Sequence, residues 1–299
     1  MTTLQNNFLF KVAAQCKNHT IVSDDGVMLN VETCGQGKPL LLFDGIMCDG
    51  HVWKYFIPAF SDYKIIHWHY PGHGLSGTAS RFADLSISRL AADAQKILNS
   101  FDAAGAVLTG HSFGVAAALE TARKYPELIK GLVLICGAPG RFIHNFDNST
   151  LLTRLMPLLY ASTALIPRQT MKLWRSLPAP LLTSLAQKSN FVNSRLVSIE
   201  DLHPYFEGMS NTHIGTVLRM LKAADRYDMF PLLESINTPA LIIAGERDRF
   251  TPSHISRKMH HKLKNSQFML AAAGTHSLPL EQPDLVNLKT KEFINSLPD

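Results

Sequence analysis

The chain has 299 residues, of which 46% are hydrophobic and 18% charged, with a formal net charge of +5 and a sequence pI near 9.0. This composition supplies enough apolar side chains for a sizeable core and excludes an intrinsically disordered chain. The basic residues are mostly scattered, and the densest group, at positions 257–264, is interpreted as one solvated helix face. We therefore expect no nucleic-acid partner.

Short apolar runs alternate with helical patterns along most of the chain, which predicts βαβ units and a mainly parallel sheet. Strands are predicted at residues 19–22, 27–33, 39–43, 64–68, 106–109, 131–136, 240–244 and 267–271. Helices are predicted at residues 88–101, 115–124, 252–263 and 284–296. The sequence Asp24-Asp25-Gly26 between the first two strands is typical of a hairpin turn.

The alternation stops after residue 137 and resumes with the apolar run at 240–244. The helical stretches between them predict an inserted helical cap at 141–234, and a core made of residues 1–140 and 235–299. Its strongly apolar runs fall at residues 151–152, 155–156, 158–160 and 181–182. Such runs can pack the cap on the core, but some are expected to roof a partly lipophilic pocket.

The sequence Gly110-His111-Ser112-Phe113-Gly114 follows an apolar run and precedes a helical pattern. A strand, a sharp turn and a helix in this order form a nucleophile elbow, with Ser112 at its apex. The two glycines suit a strained turn with close backbone approach. Because a serine hydroxyl is a weak nucleophile, the chain must also supply a base, a group that orients it, and an oxyanion site.

From about Val27 to the C-terminal helix, the chain resembles α/β-hydrolase-fold proteins with a helical cap. The resemblance implies an eight-stranded, mainly parallel sheet flanked by helices, and a Ser–acid–His order along the chain. Asp248, in a G-x-x-D segment before Thr-Pro, is the implied acid; the alternatives are that Asp248 caps a helix, or that Glu246 is the acid. His276, in the loop after the last strand, is the implied general base.

The oxyanion hole is expected to use the backbone N–H groups of Phe113 and Ile46, with Met47 as the second choice after Ile46. In this loop the chain has Asp44 where many relatives carry His, and it has His69 where they often carry Asp. Our hypothesis is that Asp44 and His69 have exchanged roles and form a supporting polar pair beneath the oxyanion loop. The alternative is that each is satisfied separately near the rim.

No metal or cofactor is expected. His67 and His69 share one strand face, but no third and fourth ligand follow at the spacing of a zinc site. His73 is expected to bond to local backbone, and the glycines of the elbow lack the spacing of a nucleotide-binding loop.

The cysteines, at positions 16, 34, 48 and 136, have no metal-type spacing, and we expect a reduced protein with Cys136 as a buried thiol. The N-terminal segment lacks the features of a secretory signal, and no run approaches the roughly 20 apolar residues of a membrane span. These patterns predict a cytoplasmic protein without stable membrane insertion.

Together the motifs predict a serine hydrolase that cleaves a carboxylic ester, thioester or lactone of a small or medium, fairly apolar acyl substrate through an acyl-enzyme on Ser112. Dehalogenases and epoxide hydrolases of the same fold carry aspartate at the elbow. An acyltransferase or a C–C bond hydrolase with the same three residues is the alternative, followed by a non-catalytic binding module. The natural substrate and the oligomeric state stay open.

Overall fold

The computed structural model describes residues 16–80, 83–142, 192–198, 200–202, 204, 208, 212 and 214–298. Within these residues the chain forms an eight-stranded sheet. Its strands are β1 (Lys17–Val22), β2 (Met28–Cys34), β3 (Pro39–Phe43), β4 (Lys64–Trp68), β5 (Ala106–His111), β6 (Ile129–Ile135), β7 (Ala240–Gly245) and β8 (Ser266–Ala271).

Helices connect most of these strands. They are α1 (Phe56–Ala59), α2 (Ile87–Ser100), α3 (Gly114–Lys124), α4 (Ile214–Arg226), α5 (Ser253–Lys262), α6 (Leu278–Glu281) and α7 (Pro283–Ser296). Short 3-10 turns lie at His51–Trp53, Pro126–Leu128 and Phe230–Ser235. The apolar periodicity does not predict the short helices α1 and α6, because four residues are too few to show a helical period.

The spatial order of the strands is β1-β2-β4-β3-β5-β6-β7-β8. Strand β2 is antiparallel to both of its neighbours, and the pairs from β4 to β8 are parallel. The predicted α/β-hydrolase fold, with a mainly parallel eight-stranded sheet flanked by helices, is confirmed. The carboxyl ends of the parallel strands consequently lie at one edge, where functional loops of such sheets gather.

Both faces of the sheet are buried, which explains why its strands appear in the sequence as continuous apolar runs. On β3, Leu40 and Leu42 belong to one apolar cluster, whereas Leu41 and Phe43 belong to the cluster on the other face. The two sets separate because successive side chains of a strand point to opposite faces.

The chain segment between β6 and β7, here called the interval, begins and ends at positions that are close in space. Gly140 forms an antiparallel bridge with Asp228, and the Arg141 side chain lies 2.9 Å from the Asp228 carboxylate. Helix α4, near the end of this interval, buries Met220 and Ala224 in the main apolar cluster. The four apolar runs between residues 151 and 182 lie outside the described residues, so the helical cap at 141–234 stays a prediction.

The structure joins Cys16 and Cys34 in a disulfide, so the expectation of a fully reduced chain is wrong for this pair. The pairing of Lys17 with Thr33 across the hairpin brings the two cysteines together, and spacing along the sequence does not reveal that register. Cys48 and Cys136 are buried thiols outside the disulfide, as predicted for Cys136. Because disulfides persist mainly in oxidising compartments, the predicted cytoplasmic location loses its cysteine argument.

Within the described ranges, no helix has both the length and the apolar character needed to cross a bilayer.

Replacing Cys34 by alanine is expected to lower the free energy of unfolding by about 3 kcal/mol, since the bond closes a loop of 18 residues in the unfolded chain. Urea unfolding with and without reductant measures this: reductant should destabilise the wild type and leave Cys34→Ala unchanged. Thiol titration of the unfolded, unreduced protein should find the thiols of Cys48 and Cys136 only. Reaction of Cys16 and Cys34 in that assay would contradict the disulfide.

Candidate active site

Ser112 occupies the sharp turn between β5 and α3 that the elbow motif predicts. Its φ is 55°, in the left-handed region that a non-glycine residue rarely adopts. Such a conformation costs about 1–3 kcal/mol and persists only where surrounding packing enforces it. The Ser112 N–H donates to the Ile135 carbonyl at 3.0 Å, which ties the turn to the neighbouring strand β6.

The glycines of the elbow allow close backbone contacts on both sides of the turn. A Cβ atom at Gly114 would lie 2.3 Å from the Phe43 carbonyl oxygen at the end of β3. One at Gly110 would lie 2.8 Å from the Gly114 carbonyl oxygen. Side chains are therefore excluded at both positions, and α3 begins directly against the end of β3.

The structure brings Ser112, His276 and Asp248 into one hydrogen-bonded chain. The Ser112 hydroxyl lies 2.8 Å from His276 Nε2, and His276 Nδ1 lies 2.9 Å from Asp248 Oδ2. These three residues come from the loops after β5, β8 and β7, which all leave the sheet at the same edge. The arrangement can pass a proton from the hydroxyl to the imidazole while the carboxylate fixes the orientation of the ring.

Asp248 is held as a carboxylate by its surroundings. Burial opposes its ionisation, but His276 and the donors of Thr251 keep the pKa of Asp248 below its ordinary value. Oδ1 accepts the N–H groups of Phe250 at 2.8 Å and Thr251 at 2.9 Å, and Oδ2 accepts the Thr251 hydroxyl at 2.7 Å. The alternative acid, Glu246, is exposed and instead accepts the Ala273 N–H at 2.9 Å.

His111, in the middle of the elbow, contributes a contact that the sequence does not predict. Its Nε2 lies 2.9 Å from the carbonyl oxygen of His276, so that nitrogen carries the donated proton. Burial and the nearby His276 lower the pKa of His111 to about 4, and the ring is therefore neutral. It fixes the backbone of His276 from the elbow itself.

The loop after β3 passes beside Ser112. A Cβ atom at Gly45 would lie 3.4 Å from Ser112 Cβ. Among the hydrogen bonds within the described part of the chain, none uses the backbone N–H of Ile46 or Phe113 as donor. The two predicted donors thus lie in the segments that flank Ser112, where their N–H groups are available to donate to an oxyanion.

Asp44 has a different partner from the one predicted. Its Oδ2 lies 2.9 Å from His67 Nε2, and its Oδ1 accepts the Trp53 indole N–H at 2.7 Å. His69 instead accepts the Leu75 N–H at Nδ1, at 2.9 Å. The predicted direct pair of Asp44 and His69 is therefore wrong, although the polar support beneath the loop exists.

The cause of this difference lies in the strand register. His67 is the residue of β4 that faces Leu42, near the end of β3. His69 lies beyond the end of β4 and turns toward the following loop. In that loop, His73 Nδ1 lies 3.1 Å from the Pro71 carbonyl oxygen, which is the local backbone contact expected for it.

Part of the interval between β6 and β7 docks against the His276 loop through Glu281, another residue that the sequence analysis does not select. The buried Glu281 carboxylate accepts the N–H groups of Asn193 at 2.8 Å and Thr275 at 2.7 Å. A groove of about 920 Å³ lies beside this junction. Its lining includes the arginine side chains at positions 195, 247 and 249. The rim next to His276 is consequently rich in positive charge.

Comparisons with known proteins agree with one another on the fold. A sequence model of the alpha/beta hydrolase fold matches residues 38–283. The uncharacterized hydrolase YugF of Bacillus subtilis (strain 168) is 28% identical over 262 residues, which cover 86% of this chain and 90% of that protein.

Two solved structures show the same fold at low sequence identity. A bromoperoxidase from Bacillus anthracis superposes with a TM-score of 0.77 at 19% identity, covering 94% of this chain and 100% of that one. The esterase EaEST from Exiguobacterium antarcticum superposes with a TM-score of 0.76 at 17% identity, with coverages of 94% and 100%. At such identity these likenesses show the fold and leave the substrate open.

Replacing Gly114 by alanine is expected to lower the free energy of unfolding by about 1–3 kcal/mol, because the new methyl group pushes the end of β3 away. The accompanying shift of the elbow should reduce hydrolase activity by about 100-fold. Urea unfolding and steady-state kinetics measure both effects. Gly77→Ala is the matched control, since its nearest neighbour would be 3.4 Å away. Equal behaviour of the two variants would contradict the close contact.

Proposed function

We propose that this chain, which belongs to the alpha/beta hydrolase family, is a serine hydrolase acting on carboxylic esters, thioesters or lactones. The observation that carries the proposal is the hydrogen-bonded chain from Ser112 through His276 to Asp248. The substrate is a small or medium, fairly apolar acyl compound, in keeping with the apolar runs of the insertion.

In the proposed reaction, the Ser112 oxygen attacks the carbonyl carbon while His276 Nε2 takes the hydroxyl proton. The C=O double bond opens to an oxyanion, which the N–H groups of Phe113 and Ile46 stabilise. As the oxyanion collapses, His276 returns the proton to the departing alcohol or thiol, and an acyl-enzyme stays on Ser112. Water, deprotonated by His276, then attacks the acyl carbon, the bond to the Ser112 oxygen breaks, and His276 returns the proton to that oxygen as the acid leaves.

Asp248 stabilises the imidazolium that forms during each proton transfer and keeps His276 Nδ1 protonated. Its lowered pKa supports this role, since the carboxylate stays ionised over the neutral range. The Phe250 ring, with its centroid 4.9 Å from that of His276, covers the imidazole on another side.

The serine at the elbow favours ester chemistry over epoxide or haloalkane chemistry, in which an aspartate is the nucleophile. An acyltransferase would use the same three residues and differ only in the acceptor that reaches the acyl-enzyme. Nothing among the described contacts selects an alcohol or thiol over water, so hydrolysis is the function we propose.

A panel of p-nitrophenyl esters of graded chain length tests the proposal directly. The wild type is expected to hydrolyse short and medium esters, and Ser112→Ala should lose at least about 10³-fold in kcat because the covalent step is removed. A fluorophosphonate should label the wild type and leave Ser112→Ala unlabelled. Activity that survives in Ser112→Ala, or a folded wild type that no fluorophosphonate labels, would sink the proposal. Added alcohol and thiol acceptors distinguish hydrolysis from acyl transfer through the products.

Replacing Asp248 by asparagine is expected to reduce kcat by about 10⁴-fold, because the ring of His276 then loses its orienting acceptor.

The pKa of Asp248 is lowered on folding. The stabilisation that this carboxylate gives the folded protein is therefore present above its ordinary pKa of 3.8 and is lost as the pH falls further. The stability difference between wild type and Asp248→Asn should therefore be constant in the neutral range and shrink in acid. Urea unfolding at a series of pH values measures it, with Glu246→Gln as the matched control. A drop in kcat for Glu246→Gln and none for Asp248→Asn would reverse the assignment of the acid.

A further inference from the structure

A group of buried ionisable side chains lies beneath the loop after β3, outside the chain of Ser112, His276 and Asp248. Glu32, Asp44, His67 and His69 are each at most 2% exposed. They lie on β2, just after β3, and on or just after β4, so the pairing of three strands brings them together. Burying an ion raises the free energy of the folded state unless the ion is paired, so this group is a candidate for a specific role.

His67 sits between two carboxylates. Its Nδ1 lies 3.1 Å from Glu32 Oε2, and its Nε2 lies 2.9 Å from Asp44 Oδ2. A neutral imidazole has one N–H group, whereas an imidazolium has two, so only the charged ring donates to both carboxylates. Burial by itself lowers the pKa of His67, but Asp44 and Glu32 raise it to about 10.

The His67 ring contacts both ends of the loop formed by residues 44–50. At the first end it binds the Asp44 side chain, whose other oxygen is held by Trp53. At the second end, a Cβ atom at Gly50 would lie 2.8 Å from His67 Cε1, so the loop closes directly onto the ring. The Tyr70 hydroxyl also donates to the Asp44 carbonyl at 2.9 Å. The loop that carries the Ile46 N–H is thus anchored on one buried cation.

We propose that His67, held between Glu32 and Asp44, is a positioning residue that fixes the loop of residues 44–50 and, through it, the Ile46 N–H beside Ser112. The inference rests on the proposed function, in which this N–H stabilises the oxyanion. A donor fixed in advance stabilises the developing charge without reorganisation, which is where oxyanion holes gain their effect. Glu32 and Trp53 serve the same end, because one holds the ring and the other holds Asp44.

A divalent cation is the competing explanation for such a cluster, since ligand atoms of Glu32, His67 and His69 lie within 4.8 Å of one another. The hydrogen bonds argue against it. His69 Nδ1 accepts the Leu75 N–H, so the neutral ring carries its proton on Nε2 and that nitrogen has no lone pair for a metal. Both nitrogens of His67 already face carboxylates. A proton on His67, and not a metal ion, therefore joins the two carboxylates.

The groups that face His67 set the pH range over which its charge persists. They are Glu32 from β2, Asp44 and Asp49 from the loop, and His69 just after β4. Burial and the charge of His67 lower the pKa of His69 to about 4, so His67 is the charged ring of the two. Folding raises the pKa of His67 from 6.5 to about 10. Its stabilisation is therefore complete below pH 6.5 and is lost as the pH rises through about 10.

His67→Gln tests the proposal, since an amide can donate to only one carboxylate at a time and carries no charge. We expect kcat for p-nitrophenyl esters to fall by about 10²–10³-fold, as for loss of an oxyanion donor, with KM changed less than about threefold. The affinity for a trifluoromethyl ketone, which forms an oxyanion on Ser112, should fall in parallel with kcat/KM. Affinity for the unreactive product acid should not change. A purely structural role would not separate these two ligands.

Two further variants identify the network. Asp44→Asn should reduce kcat as His67→Gln does, and the double variant should cost little more than either, because both changes release the same loop. Asp93→Asn, which removes a buried carboxylate from its 2.6 Å contact with Arg89 on α2, is the matched control. It should keep kcat within about twofold of the wild type whatever its stability. Circular dichroism establishes that each variant is folded at the assay temperature.

The outcomes separate this inference from the proposed function. A folded His67→Gln protein with wild-type kcat, or additive effects of the two changes, would overturn the positioning role while leaving the serine chemistry intact. Stoichiometric zinc in the purified protein, removed by chelator together with the activity, would overturn it in favour of a metal. If His67→Gln does not fold, Trp53→Phe decides: it removes the other donor to Asp44 and is expected to lower kcat about tenfold. An unchanged kcat in that variant would also overturn the role.

Discussion

The contact between the first turn of α3 and the end of β3 is the constraint on which this edge of the sheet depends. Phe43 pairs with Gly110 across the parallel strands, so β3 and the elbow strand end at the same level. Gly114 then rests against the Phe43 carbonyl with no room for a side chain. The left-handed turn at Ser112 and the loop at Gly45 must share the remaining space. Each strained element is held because its neighbours leave it no alternative packing.

Much of the architecture could be predicted from the sequence because burial on both faces makes each central strand a continuous apolar run. The elbow, the Asp248 loop and the His276 loop carry local signals, and the structure brings those three side chains within hydrogen-bonding distance. Contacts that depend on the register of an antiparallel pair leave no such signal. The facing of Glu32 and His67 follows from the pairing of β2 with β4, which spacing along the chain cannot reveal.

Strand pairing also explains the two wrong expectations. A choice between His67 and His69 as the partner of Asp44 depends on where β4 ends, and boundaries of elements are the least certain part of a sequence prediction. The disulfide between Cys16 and Cys34 likewise joins residues that become neighbours only in the paired hairpin. In both cases the residue types were visible in the sequence, and only the pairing of strands decides which of them meet.

Two histidine–carboxylate sites lie at this edge, and their surroundings assign them different chemistry. His276 has one carboxylate neighbour and a side chain that is 15% exposed. In the proposed reaction this ring is the general base. His67 has two carboxylate neighbours and no exposure, and the carboxylates raise its pKa to about 10, so the ring keeps its proton at neutral pH. The proposed roles of the two histidines therefore follow from the number of carboxylates beside each ring and from its access to solvent, more than from residue type.

The bridge between Gly140 and Asp228 holds the two ends of the segment between β6 and β7 side by side. Because its ends meet there, the length of the interval can vary without separating β6 from β7, while α4 at its end packs into the main apolar cluster. Two of these residues follow the interval in the chain and one precedes it, yet all three are positioned by the sheet. Changes in the length of this interval can therefore be accommodated at one junction while Ser112, Asp248 and His276 stay at the same edge of the sheet.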